Sequence, residues 1–277
     1  MSTLVMDAVS VSGAAKGLVK GIALVDIVSN AGRPLRQSQV VEASGMPHAT
    51  VVRMLDVLCE LDLLRVDSDG AYGLGPRVVS WGQAFLNSFD LAGLASDLID
   101  DLVARSGETC FLGLLDRDSV LYIAAKNSPH SVRPAANIGS HNPLYSTGIG
   151  KAILAFADEE DRTRLLAGPR VKKTANTIVE REPLIAELTR IRERGFSIDD
   201  VENEEGVRCV AAPVRDHRGA VIAALSVSAP AYRFSLDDVM GLAPFVQEAA
   251  DTLSRRGGYT GPSLPRAAAI PGTASAG

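Results

Sequence analysis

The chain lacks most of what would point to a membrane, a metal or a catalytic centre. No apolar run approaches the roughly 20 residues that a bilayer-spanning helix needs. The start, with Asp7 early and no basic stretch ahead of an apolar one, does not read as a secretion signal, so a cytoplasmic protein is expected. Cysteine is scarce. Cys59, Cys110 and Cys209 are odd in number and far apart, which excludes a disulfide framework or a Cys-based zinc site and leaves reduced thiols. The histidines, His48, His130, His141 and His217, are scattered. With no His-x-x-x-His pair, nucleophile elbow or Cys-x-x-Cys, neither an enzyme nor a bound metal or cofactor is expected. Positive charge is in deficit too: 28 Lys and Arg against 33 Asp and Glu, net −5. Non-specific nucleic-acid affinity comes from phosphate neutralisation, so any DNA contact has to be local. The single tryptophan, Trp81, reads as a packing residue against a neighbouring domain or subunit.

Residues 16 to 76 carry the strongest positive signal. Leu18, Ile22, Val25 and Val28 recur at helical spacing, as do Val51, Leu55, Leu58 and Leu61, so each segment is expected to bury one stripe. Between them, residues 36 to 43 suit a short helix. Ser44-Gly45-Met46-Pro47 ends it and opens a third at Pro47. Leu64 and Val66, then Tyr72 and Leu74, alternate apolar with polar around the turn Asp67-Ser68-Asp69-Gly70. The order is that of a winged helix-turn-helix, a DNA-reading head. Its charge is unhelpful: Lys16, Lys20, Arg33, Arg36, Arg53 and Arg65 face Asp7, Asp26, Glu42, Asp56, Glu60, Asp62, Asp67 and Asp69. Placement offsets this, because Arg33, Arg36, His48 and Arg53 cluster at the turn and the start of the third helix, where phosphates and base edges would sit. A dimer would double the patch.

Beyond this head (residues 1–76), residues 77–87 and 91–105 read as linker helices within a 77–105 connection. Residues 106–256 change texture. Strands are expected at 110–115, 120–125, 209–214 and 220–227, and helices at 148–157, 184–194 and 236–255. Asp216-His217-Arg218-Gly219 joins the last two strands as a hairpin, which argues for a mostly antiparallel sheet in an α+β chain. Residues 257–277, rich in Gly, Pro, Ala and Ser without period, are expected to be a disordered tail.

Ser146-Thr147-Gly148-Ile149-Gly150-Lys151-Ala152 superficially suggests a phosphate loop. It fails the pattern, with Tyr145 in place of the first glycine and Ala152 in place of the magnesium-binding hydroxyl. What remains is an N-capped helix start that could bind an anion, or simply a glycine-packed helix. On the last strand Ile222, Ala224, Ser226 and Ser228 share one face. Two hydroxyls therefore line an apolar surface, and leaving one unpartnered costs on the order of 1–3 kcal/mol. Cys209 could project into the same volume, with Asp199 or Asp200 at its rim. Local backbone and solvent would equally satisfy these groups. Together they suggest a small-molecule pocket, with Leu112, Leu114, Tyr122, Ile149 and Ile222 as candidate walls suited to an aromatic acid.

Several stretches resemble the IclR family of bacterial transcriptional regulators over about residues 16 to 255. They are Met46-Pro47-His48-Ala49-Thr50-Val51-Val52-Arg53-Met54-Leu55, Tyr72-Gly73-Leu74-Gly75, Thr147-Gly148-Ile149-Gly150-Lys151-Ala152, Glu205-Gly206-Val207-Arg208-Cys209-Val210-Ala211-Ala212-Pro213-Val214 and Leu225-Ser226-Val227-Ser228. The resemblance implies a winged helix-turn-helix followed by a GAF-like effector domain, working as a homodimer or tetramer on palindromic double-stranded promoter DNA. It implies small organic or aromatic acids as effectors, held at Gly148, Ile149, Asp199, Cys209, Ser226 and Ser228. DNA contacts are expected at Arg33, Arg36, His48, Ala49, Thr50 and Arg53. His48-Ala49 departs from the polar or basic residue and Ser more usual there, so the operator sequence stays open. Two rival readings stand beside this one: a thiol-dependent enzyme with Cys209 as nucleophile, which lacks an evident partner group, and a winged helix used for protein assembly.

Overall fold

The computed structural model describes residues 15–88, 91–135 and 137–265, and the chain divides into two compact units, Met1–Phe89 and Asp90–Gly277. The first runs α1 (Ala15–Asn30), β1 (Leu35–Arg36), α2 (Gln37–Ser44), α3 (His48–Glu60), β2 (Leu64–Val66), β3 (Ala71–Leu74) and α4 (Pro76–Ser88). Gly45, at φ 64°, ends α2 in the left-handed region, and Pro47 caps the start of α3. Leu24, Val28, Val40, Val51, Leu55, Leu58 and Leu64 form the core. The buried stripe of α1 differs from the expected one. Leu18 and Ile22 are 70% and 41% exposed and Val25 is half-buried, so of the expected stripe Val28 alone is buried, joined by Leu24. Leu61 is also exposed, lying just past the end of α3.

The wing is the β2–β3 hairpin, paired Leu64↔Leu74 and Val66↔Tyr72. Asp67 Oδ1 accepts from the N–H groups of Asp69 (3.0 Å) and Ala71 (2.9 Å) and shapes the turn. A third strand, the two-residue β1, pairs with β3 at Leu35↔Tyr72 and is too short to show a period in sequence. On α4, Trp81 is half exposed with the Arg77 guanidinium 5.9 Å from its ring centre.

The second unit begins with α5 (Leu91–Ser106). It continues β4 (Thr109–Asp116), β5 (Ser119–Lys126), β6 (His141–Pro143), α6 (Gly148–Phe156), α7 (Glu159–Leu165), α8 (Arg181–Arg194), β7 (Ser197–Asp200), β8 (Val207–Arg215), β9 (Val221–Pro230) and α9 (Leu236–Arg256). The strands form one sheet in the order β6-β5-β4-β9-β8-β7, with every neighbouring pair antiparallel. Six consecutive buried residues at the start of β4 show that both faces are covered. α6 and α8 pack on one side, α5 and α9 on the other. Of the two segments read as linker helices, α4 falls in the first unit; α5 belongs to the second, burying Ala95, Ile99 and Leu102.

The start of the tail is ordered, contrary to expectation. Tyr259 lies against the Arg215 guanidinium, Ser263 Oγ donates to Asp251 (2.9 Å), and Gln247 Nε2 donates to the Pro265 carbonyl (2.7 Å). These anchors sit on β8 and α9, which composition alone does not reveal. Residues 266–277 of the expected tail and 1–14 of the expected head lie outside the described residues.

Candidate functional site: a buried cavity and a reading head

Register brings the site together in the second unit. Asp199 on β7 pairs with Cys209 on β8, Cys209 with Ser228 on β9, and Ser226 with Phe111 on β4. Directly paired residues share a sheet face, so the carboxylate, the thiol and both hydroxyls point the same way. The start of α6 closes over them. Thr147 Oγ1 accepts from the Gly150 N–H (3.0 Å) and donates to the Pro143 carbonyl (2.7 Å), fixing that helix end. A Cβ at position 148 would stand 2.6 Å from Cys209 Sγ, so glycine is what lets α6 approach the strand. One at position 150 would meet the Leu144 backbone at 2.3 Å. The N–H groups of Gly148 and Ile149 have no partner among the described residues, as expected for a helix's first turn.

Gly148, Ile149, Asp199, Cys209, Ser226 and Ser228 thus all line one cavity, completed by Phe111, Tyr122 and Asn142 and roofed by Pro134 and Ala135. The centre of a water-sized molecule can range over about 50 Å³ of it, several times the roughly 10–15 Å³ that one water needs. Leu112 and Leu114 have the opposite parity on β4 and face away, and Ile222 lies outside the lining. Asp200, the other rim candidate, is occupied by Arg208 at 2.7 Å. A more open depression of about 450 Å³ between β6 and the segment after α7 contains none of the six residues.

The electrostatics are set by burial. Asp199 is 4% exposed and its pKa is raised to about 7, mainly by loss of solvent, with Lys151 pulling the other way. Its Oδ1 accepts from the N–H groups of Glu202 (2.7 Å) and Asn203 (3.4 Å). Lys151 is fully buried on α6 and ion-paired with Glu202 Oε1, while Glu202 Oε2 is buried without a partner. Burial pushes the Cys209 thiol up to about 12, with the Asp199 charge adding to it and the two serine hydroxyls opposing. The nucleophilic form of a thiol is the thiolate, so Cys209 is an inert lining group here. Among the described residues no cluster of His, Cys, Asp and Glu can hold a metal ion. Sequence reasoning missed Phe111 and Asn142. Phe111 follows from the β4–β9 register; Asn142 sits on a three-residue strand that left no signal.

In the first unit, α3 presents His48, Ala49 and Arg53 to solvent with Thr50 half-buried, while Val51, Leu55 and Leu58 face the core. Arg33 and Arg36 are exposed nearby, and neither they nor Arg53 join an ion pair among the described residues. His48 Nε2 lies 3.2 Å from Gln37 Nε2. Farther along α3 the exposed residues are Asp56, Val57 and Glu60, two acids and an apolar side chain. The N-terminal half of α3, where the helix dipole also favours anions, is therefore the end that can meet phosphate.

Comparison with known proteins agrees with both halves. The IclR helix-turn-helix domain profile matches residues 17–68, and the bacterial transcriptional regulator IclR C-terminal profile matches residues 83–255. The HTH-type transcriptional regulator KdgR of Escherichia coli (strain K12) is 37% identical over 216 residues, covering 77% of this chain and 82% of that protein. The crystal structure of Thermotoga maritima IclR superposes with a TM-score of 0.74 at 31% identity, over 88% of this chain and 99% of that one. An IclR homolog from Microbacterium hydrocarbonoxydans, complexed with 4-hydroxybenzoate, shares the fold at TM-score 0.76 and 22% identity, over 87% and 98%. Relatives of this kind are named regulators rather than enzymes, and no described helix is long and apolar enough to cross a membrane. With a helix-turn-helix head and an α+β effector domain of antiparallel sheet, the chain belongs to the IclR family of bacterial transcriptional regulators.

Proposed function

We propose that the protein is a cytoplasmic regulator whose affinity for promoter DNA is set by a small organic or aromatic acid bound in the second unit's cavity. One observation carries the reading: six residues from four separate chain segments line a single cavity, with two helix N–H groups that have no partner among the described residues and two hydroxyls as donors. Anions suit a helix N-terminus, and the apolar walls Phe111, Tyr122 and Ile149 suit a hydrocarbon body. The volume accommodates a small acid as it stands. An aromatic one, such as the 4-hydroxybenzoate of the M. hydrocarbonoxydans homolog, needs a wider space than this.

On the DNA side, Arg33 and Arg36 hold phosphates, and His48, Ala49, Thr50 and Arg53 meet base edges in the major groove. A homodimer or tetramer places two heads on the half-sites of a palindrome. Effector binding shifts the population between arrangements of the effector units, and only a difference in affinity for those arrangements moves the DNA equilibrium. Fluorescence anisotropy on a labelled fragment of the gene's own promoter tests the head. Arg53→Ala is expected to weaken binding by roughly 1–3 kcal/mol. Unchanged affinity would remove α3 from the interface and favour a winged helix used for assembly.

A further inference from the structure

We propose that the cavity takes its anionic ligand together with one proton, which Asp199 holds and donates to the ligand's carboxylate. The inference rests on the organic-acid reading above and adds the form in which the acid is bound. Among the described residues no Lys, Arg or His lines the cavity. Lys151, the cation that acts on Asp199, is fully buried and committed to Glu202. The buried cluster is one cation and two carboxylates, Glu202 behind the wall and Asp199 in it, exposed by 6% and 4%, while a third carboxylate, Glu204, lines the cavity from a solvent-exposed position. With both carboxylates ionised this cluster carries one net negative charge, and an arriving carboxylate would make two. Like charges held among buried groups resolve by sharing a proton.

The geometry assigns that proton. Asp199 Oδ1 is occupied by two backbone N–H groups, whereas Oδ2 has no partner among the described residues and Asp199 borders the cavity. Asp199 faces Lys151 of α6, Glu202 and Glu204 of the β7–β8 loop, Cys209 of β8 and Tyr122 of β5. Burial keeps the thiol and the phenol neutral. Asn142 and Asn203 are uncharged. A proton therefore enters from solvent onto Oδ2, which then donates to one ligand oxygen, while the other accepts from the Gly148 and Ile149 N–H groups. The bound state carries the same net charge as the empty one.

Isothermal titration calorimetry of the full chain decides this. Propionate, benzoate and 4-hydroxybenzoate are titrated between pH 6 and 9, in phosphate and in Tris, with neutral benzamide as control. The expected result is an apparent Kd for the acids that rises about tenfold per pH unit above pH 7, with proton uptake approaching one per ligand and a flat profile for benzamide. Asp199→Asn is expected to lose the pH slope. A wild-type Kd for a bound acid that is flat over this range, with no buffer-dependent heat, overturns the proton and leaves the acid. Absence of binding by every acid at pH 6 overturns the organic-acid reading itself, and this inference with it.

Discussion

At the residue scale, Gly148 sets the space of the cavity and Asp199 its charge. Gly148 is the only residue type that leaves room for Cys209 Sγ, which a Cβ would approach to 2.6 Å. Gly148→Ala is expected to destabilise the protein by about 1–3 kcal/mol through overpacking. Cys209→Ala in the same chain should recover most of that loss, since the Cβ of Cys209 stands 3.7 Å away. Chemical denaturation of the single and double variants reads both, and equal losses would contradict the contact. Asp199 acts through charge. Its pKa in the folded protein, about 7 against an ordinary value of 3.8, means that the native state binds more protons than the unfolded one between those values. Stability due to this group is therefore fully present below about pH 4 and is lost as pH rises to 7. Asp199→Asn keeps the Oδ1 acceptor without the charge. It is expected to be more stable than wild type at pH 8, by a few kcal/mol, with the gap closing towards pH 4. A gap that does not depend on pH would show that Asp199 is ionised without cost.

At the element scale, α6 and the loop after β7 are clasped by Lys151 and Glu202, and this loop supplies the N–H groups that hold Asp199. Removing one partner leaves a buried charge uncompensated. Lys151→Met is expected to cost about 3–5 kcal/mol, and Lys151→Met/Glu202→Gln much less. Denaturation midpoints of the two variants separate an ion-pair clasp from simple packing, which would make the losses similar. The long elements were legible in the sequence because their periods are long: α3, α9 and β8 stand within two residues of expectation, and β9 runs three residues further, to Pro230. The parity of β9 was enough to place Ser226 and Ser228 together. β1, β6 and β7, of two to four residues, left no period to read. Lys151 escaped for another reason: nothing local says that a lysine in a glycine-rich helix start is buried against a glutamate 51 positions away. The facing of Leu112 and Leu114 depended on the β4 register, which includes a shift between Leu112 and Gly113 on the β5 side.

At the scale of the whole molecule, each unit has its own core, one built around Leu24, Val40, Val51 and Leu55, the other around α6, α8 and the sheet. Two cores allow two unfolding transitions, so a ligand of the cavity should stabilise the second unit by mass action and leave the first where it was. At one hundred times the dissociation constant the gain is about 2.7 kcal/mol. The most direct measurement is differential scanning calorimetry at pH 6 with a panel of small and aromatic carboxylates, repeated on Ser226→Ala/Ser228→Ala. The account predicts that at least one acid raises the transition of the effector unit in the wild type and that the shift vanishes in the double variant. A shift that survives loss of both hydroxyls would place the ligand outside this cavity and contradict the account.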